Sequence, residues 1–148
     1  MLRLLRAVAT EPKNLHMCLD ADARLAAAAG GVARFLADAA GLEGDAAARL
    51  QSAVIEASLE AFEHLAGKHP QLEIDFSRFS DRLEVSLSHE DASPGIGMHT
   101  ITSFAAKEGD PAENSDALTG VDRVQHETHG NETITRLTKY LRQVAPSL

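Results

Sequence analysis

One cysteine, one tyrosine and no tryptophan stand in a chain of 148 residues. Cys18 has no partner for an internal disulfide and no second thiol with which to share a zinc or redox site. Aromatic residues make up 4% of the chain, too few for the platforms on which single-stranded nucleic acids stack. Basic residues are in deficit as well: 14 Lys and Arg against 22 Asp and Glu give a formal net charge of −8. Duplex binding requires a basic face that this balance does not supply, so no nucleic-acid partner is expected. No apolar run approaches the roughly eighteen residues of a membrane helix. The basic and apolar opening is interrupted by Arg3 and Arg6 and is too short for the apolar core of a signal peptide. These absences predict a reduced, cytoplasmic setting with no membrane partner.

What is present is ordinary globular composition, 44% apolar and 24% charged, in a length that suits one domain with a real core. Residues 1–13 read as an N-terminal extension, 14–141 as the domain and 142–148 as a tail. A short strand is expected over 15–19, after the breaker at Pro12. Asp20 or Asp22 then caps a helix running to about Ala40, with Leu25, Ala28, Val32, Phe35, Leu36 and Ala39 on one face. Gly30 and Gly31 interrupt it; two glycines cost about 1 kcal/mol each against alanine, which predicts close packing or a bend. Asp45 caps a second helix ending near Gly67, striped by Leu50, Val54, Ala57, Ala61 and Leu65.

Two alternating runs follow, 72–76 and 83–87, joined by a turn at 79–82. Each places its aliphatic side chains on one face, as a sheet buried on one side demands. Periodicity is lost from Ser88 to about Thr119, with a short helix expected over 101–107. A second hairpin closes the chain, 121–128 and 133–141 around Gly130 and Asn131. The order strand, helix, helix, hairpin, irregular segment, hairpin predicts an α+β two-layer sandwich, a mostly antiparallel sheet with helices on one face. The first strand is expected at a sheet edge, an exposed pairing surface.

Among the seven histidines, His126 and His129 are three residues apart on a strand, so they face opposite ways and do not form a helical metal motif. His64, His69, His89 and His99 show no ligand spacing, and Ser52, Ser58 and Ser88 have no nucleophile context.

Three segments, in this order, carry a resemblance. The second helix holds Glu56-Ala-Ser-Leu-Glu60-Ala-Phe-Glu-His64, the first hairpin runs into Asp91-Ala-Ser-Pro-Gly95, and the last strand ends in Leu137-Thr-Lys139. Together they resemble the anti-sigma factor serine kinases (RsbW/SpoIIAB type) of the GHKL superfamily, the Bergerat-fold, histidine-kinase-like ATPases. The likeness spans about residues 15–141. It implies that Glu56 orients or deprotonates the attacking group, that residue 60 holds Mg²⁺ beneath the phosphates, and that Asp91 reads adenine.

The departures from that pattern concern the nucleotide. An asparagine is expected where Glu60 stands, and Glu56 with Glu60 then turns a pair of negative charges toward a triphosphate. A carboxylate does ligate Mg²⁺, so Glu60 is the metal candidate if nucleotide binds. The first glycine of the adenine box is Ser93, leaving Gly95 and Gly97 as the positions where backbone could approach a cofactor. The glycine-rich lid has no counterpart; its place falls near 110–114, where Pro111 lacks an N–H. Each residue also has a plainer reading: Glu56 beside Glu60 and Glu63 as a solvated surface, Asp91 as a turn former.

The expected function is therefore a regulatory protein-binding module resembling an anti-sigma factor of a partner-switching system, with ATP binding lost or weak and no cofactor. Its partners would be a sigma factor or a STAS-domain anti-sigma antagonist, with a homodimer through the first-strand edge. The alternative is an active ATP- and Mg²⁺-dependent serine/threonine protein kinase acting on that antagonist. A third possibility is a fold retained around a different small ligand.

Overall fold

Alternation and helical periodicity resolve into eight elements in the computed structural model, which describes residues 13–68, 70–90, 99–104 and 120–141. In chain order they are β1 (Lys13–Asp20), α1 (Ala23–Ala39), α2 (Gly44–Phe62), β2 (Gln71–Arg78), β3 (Arg82–Glu90), β4 (His99–Phe104), β5 (Arg123–His129) and β6 (Glu132–Tyr140). The strands form one sheet in the order β1-β2-β3-β6-β5-β4, every neighbouring pair antiparallel. Both helices lie on one face, packing on each other and chiefly on β1, β2 and β3. The result is an α+β two-layer sandwich.

Asp22 is the cap of α1: its carboxylate accepts the Arg24 backbone N–H at 2.8 Å, filling one of the donors a helix start leaves open. The expectation that Asp45 caps α2 is corrected. Glu43 holds the cap position, while Asp45 lies in the first turn, where its charge still complements the helix dipole. Helix α2 also stops sooner than expected, at Phe62. The chain beyond it must turn back to meet the sheet: Ala66 donates its N–H to the Glu90 carbonyl, and Gly67 adopts a φ of 95°. Only glycine takes that conformation at little cost.

The core follows the alternation. Leu72, Ile74 and Phe76 of β2, Leu83, Val85 and Leu87 of β3, and Leu137 of β6 are buried against Leu36, Ala37, Leu50, Ala53 and Val54 of the helices. Each large side chain contributes about 1.5–3 kcal/mol by leaving water. Register runs through these residues: Phe76 pairs with Val85, and Val85 with Leu137. A slip by one residue would turn all of them to solvent.

The short helix expected over 101–107 is replaced by β4 at His99–Phe104. Three consecutive side chains there, Thr100, Ile101 and Thr102, are branched at Cβ, which suits a pleated strand. Pairing with β5 supplies the ladder partners that an isolated turn of helix would lack. Residues 105–107 of that expected helix lie outside the described residues, as do residues 1–12 and 142–148. Among the described strands, β1 lies at the edge of the sheet, as the sequence predicts.

Candidate functional site

Residues two apart on a strand share a face, so the registers sort the sheet into a helix side and an open side. On the helix side, Val85, Leu137 and Val124 form one apolar row. The next two rows change character. Leu87 is followed across the sheet by Thr135 and His126, and His89 by Thr133 and Thr128. The helices pack chiefly on the other half of the sheet. The β6–β5 half thus presents threonines and an imidazole on the same side as the helices.

Helix α2 borders this polar floor. Glu56 and Glu60 are one turn apart and both solvent-exposed, with residues i and i+4 sharing a helix side. The Glu60 charge acts on His126 through space, raising its pKa. His126 Nδ1 lies 3.1 Å from the Thr135 hydroxyl. Burial of the ring among its neighbours holds the His126 pKa below the ordinary value, and the Glu60 charge offsets part of that. His126 as a residue keeps an exposed surface, but the protein around its ring still removes hydration from the charged form. The imidazole is therefore neutral at neutral pH.

The end of β3 is tied to the exit of α2. Glu90 accepts the Ala66 N–H at 3.1 Å through its carbonyl, and the same carbonyl accepts from His89 Nδ1 at 3.0 Å. That second bond fixes the proton of His89 on Nδ1 when the ring is neutral, because a carbonyl can only accept. The Glu90 carboxylate sits where a side chain on Gly67 would stand. The chain leaving β3 toward Asp91 is thus anchored beside the helix that carries Glu56 and Glu60. Asp91, Ser93, Gly95, Gly97 and residues 110–114 lie outside the described residues.

The open side separates the second histidine from the first. His129 and Arg136 both hold Glu127, at 3.1 Å and 2.8 Å to its two oxygens. Hydrogen bonding to His129, then to Arg136, keeps the Glu127 carboxyl below its usual pKa. His126 and His129 face opposite ways, as strand parity predicts, and no group of three or more metal-ligating side chains occurs among the described residues. A surface cavity of about 680 Å³ lies at the far end of α2, lined by Leu42, Glu43, Arg49, Lys139 and Tyr140 among others. It contains none of the sequence-predicted site residues.

Sequence reasoning placed Glu56 and Glu60 on one helix side and missed the floor beneath them. The signal was present in β6, where Thr133, Thr135 and Leu137 share a face while Ile134 lies on the other. A strand whose core-side parity begins with two threonines marks a polar space under a helix layer. Among the described residues, no helix is long and apolar enough to cross a membrane. No protein-family model and no curated protein matches this chain.

Proposed function

We propose that this chain is a regulatory protein-binding module of the GHKL, Bergerat-fold type, resembling an anti-sigma factor of a partner-switching system, with nucleotide binding lost or weak. The observation that carries the reading is that the Glu60 charge acts on His126 of the polar sheet face. Where the resembled family holds Mg²⁺ beneath a triphosphate, this protein offers a carboxylate, a second carboxylate one turn away in Glu56, and a neutral imidazole below. Phosphates call for N–H donors and cations. The two carboxylates supply neither and the neutral imidazole supplies a single N–H and no charge, so the set does not fit the nucleotide's phosphates, and no reaction step is assigned through it.

Support for the fold type comes from the order of elements and from the anchoring of β3 beside α2. These put the helix with Glu56 and Glu60 next to the strand end that leads to Asp91. Function then rests on surfaces. The partner is a sigma factor or a STAS-domain antagonist, and the outer edge of β1, eight residues long and without a neighbour among the described strands, serves a homodimer. An unpaired edge is a pairing surface.

Calorimetric titration with Mg-ADP, Mg-ATP and ADP without magnesium tests the nucleotide half of the reading. No heat at millimolar nucleotide is expected. Binding in the micromolar range, about −8 kcal/mol, would overturn it in favour of a serine kinase with Glu60 as metal ligand. Purified STAS-domain and sigma-factor proteins test the other half: a stoichiometric complex with one of them is expected, and none with either sinks the regulatory reading. Light scattering decides the homodimer.

A further inference from the structure

On the open side of the sheet, edge strand β1 sets His16 between two carboxylates of β2. His16 Nδ1 is 2.7 Å from Asp75 Oδ1, and Nε2 is 3.6 Å from Glu73 Oε1. Carboxylates only accept, while a neutral imidazole has a single N–H and turns a lone pair outward from its other nitrogen. Only the imidazolium satisfies both neighbours at once. We propose that His16 is a proton-dependent clasp that fastens β1 to β2 when charged and loosens the edge strand when neutral.

The surroundings leave His16 as the group that performs this task. On its own strand, Asn14, Cys18 and Asp20 share its side of the sheet; the Cys18 thiol points to Gln71 Oε1 at 3.1 Å, and Asp20, two pairs further along, accepts from Gln71 Nε2 at 3.0 Å. β2 contributes Glu73 and Asp75 there, flanked by Ser77 and Gln71. From β3, Ser86 pairs with Asp75 and Ser88 with Glu73. The next cation across the sheet, Arg136, is engaged with Glu127 at 2.8 Å and reaches only as far as Ser86. Among the described residues, Glu73 and Asp75 thus have His16 as their one charged partner. Losing its proton leaves two negative charges two residues apart on one strand and removes one of the two N–H donors.

Position gives the clasp its consequence. Among the described residues, β1 is held by ladder bonds to β2 alone, with no strand on its other side. Weakening the β1–β2 ladder favours local opening of this edge strand, whose remaining anchors are Leu19 in the core and Met17 packed against it, and amide exchange detects openings of that kind. The sign follows from the bond: His16 has its pKa raised, first by the hydrogen bond to Asp75 and then by that carboxylate's charge. The added stability is complete below the unfolded pKa of histidine and is lost as pH rises through the folded one. The inference stands without the proposed function, since it concerns only the seam between two strands.

Hydrogen exchange on the intact protein, with the His16 ring followed by NMR from about pH 5 to about pH 9, tests it. After correction for intrinsic rates, protection of the β1 amides should fall several-fold across the His16 titration, while β5 and β6 amides show no matching step. His16→Gln should remove the step, leaving β1 equally protected at both ends of the range. Asp75→Asn should move the step to lower pH along with the His16 titration. A β1 protection profile that is flat in the natural protein, or a step that persists in His16→Gln, overturns the clasp.

Discussion

Gly30 of α1 rests directly on Ile55 of α2: a methyl group on the glycine would stand 2.5 Å from Ile55 Cγ1 and 3.1 Å from the Gln51 carbonyl oxygen. The two helices meet at a glycine because nothing larger fits between their backbones. Its neighbour Gly31 has open space where a side chain would go. Gly30→Ala should therefore destabilise the protein by about 1–3 kcal/mol from overpacking, set against the roughly 1 kcal/mol that alanine gains in a helix. Gly31→Ala should be neutral or stabilising by up to about 1 kcal/mol. Urea unfolding of the two variants checks this, and equal effects would refute the close crossing.

Glu127 supplies a second prediction, through acid. His129 and then Arg136 lower its pKa in the folded protein. A lowered carboxyl pKa adds stability above the unfolded value, and that stability is lost as pH falls through the folded one. Glu127→Gln should thus weaken the protein at about pH 7 and converge on the natural protein well below about pH 4. Denaturation midpoints at the two pH values show which holds; a loss of the same size at both would mean that the carboxylate's charge contributes nothing.

The pairing of strands was legible because alternation and turn chemistry are local. Phe76, Val85 and Leu137 announce the buried face, and Gly130 with its φ of 62° marks the closing turn. β4 was not legible, since its six residues owe their extended form to a ladder with β5 that lies some twenty residues onward in the chain. For the site, helical spacing was enough to unite Glu56 with Glu60. It could not show that His126 feels the Glu60 charge, because that coupling depends on which face of β5 turns inward. The face is decided by Val124 pairing with Leu137, a register that no window of the sequence contains.

That same coupling yields a third prediction, read at a single proton. Burial lowers the His126 pKa and the Glu60 carboxylate pulls it back upward. Glu60→Gln removes the upward influence and should lower the His126 titration midpoint further below that of an ordinary histidine. The Thr135 hydroxyl, 3.1 Å from Nδ1, keeps the ring in place, so the shift reports charge and not movement. His129, across the sheet and held by Glu127, serves as the internal reference. An unchanged His126 midpoint in Glu60→Gln would separate α2 from the β5 floor.

The acidic residue at position 60 makes the final prediction, which rests on the proposed function. If charge is what bars a nucleotide from this site, neutralising the carboxylate whose charge acts on His126 should bring part of the affinity. A unit charge about 4 Å from a phosphate is worth about 1 kcal/mol in water and about 4 kcal/mol near a protein surface. Glu60→Asn should accordingly tighten Mg-ADP binding by about tenfold or more, bringing it from undetectable into the range of calorimetry. Glu63, also exposed but past the end of α2, is the control: Glu63→Gln removes the same formal charge from the chain without touching the floor. A gain in Glu60→Asn alone locates the barrier at the carboxylate. Equal gains in both variants would assign it to the net charge of −8, and no gain in either would refute the carboxylate as the barrier.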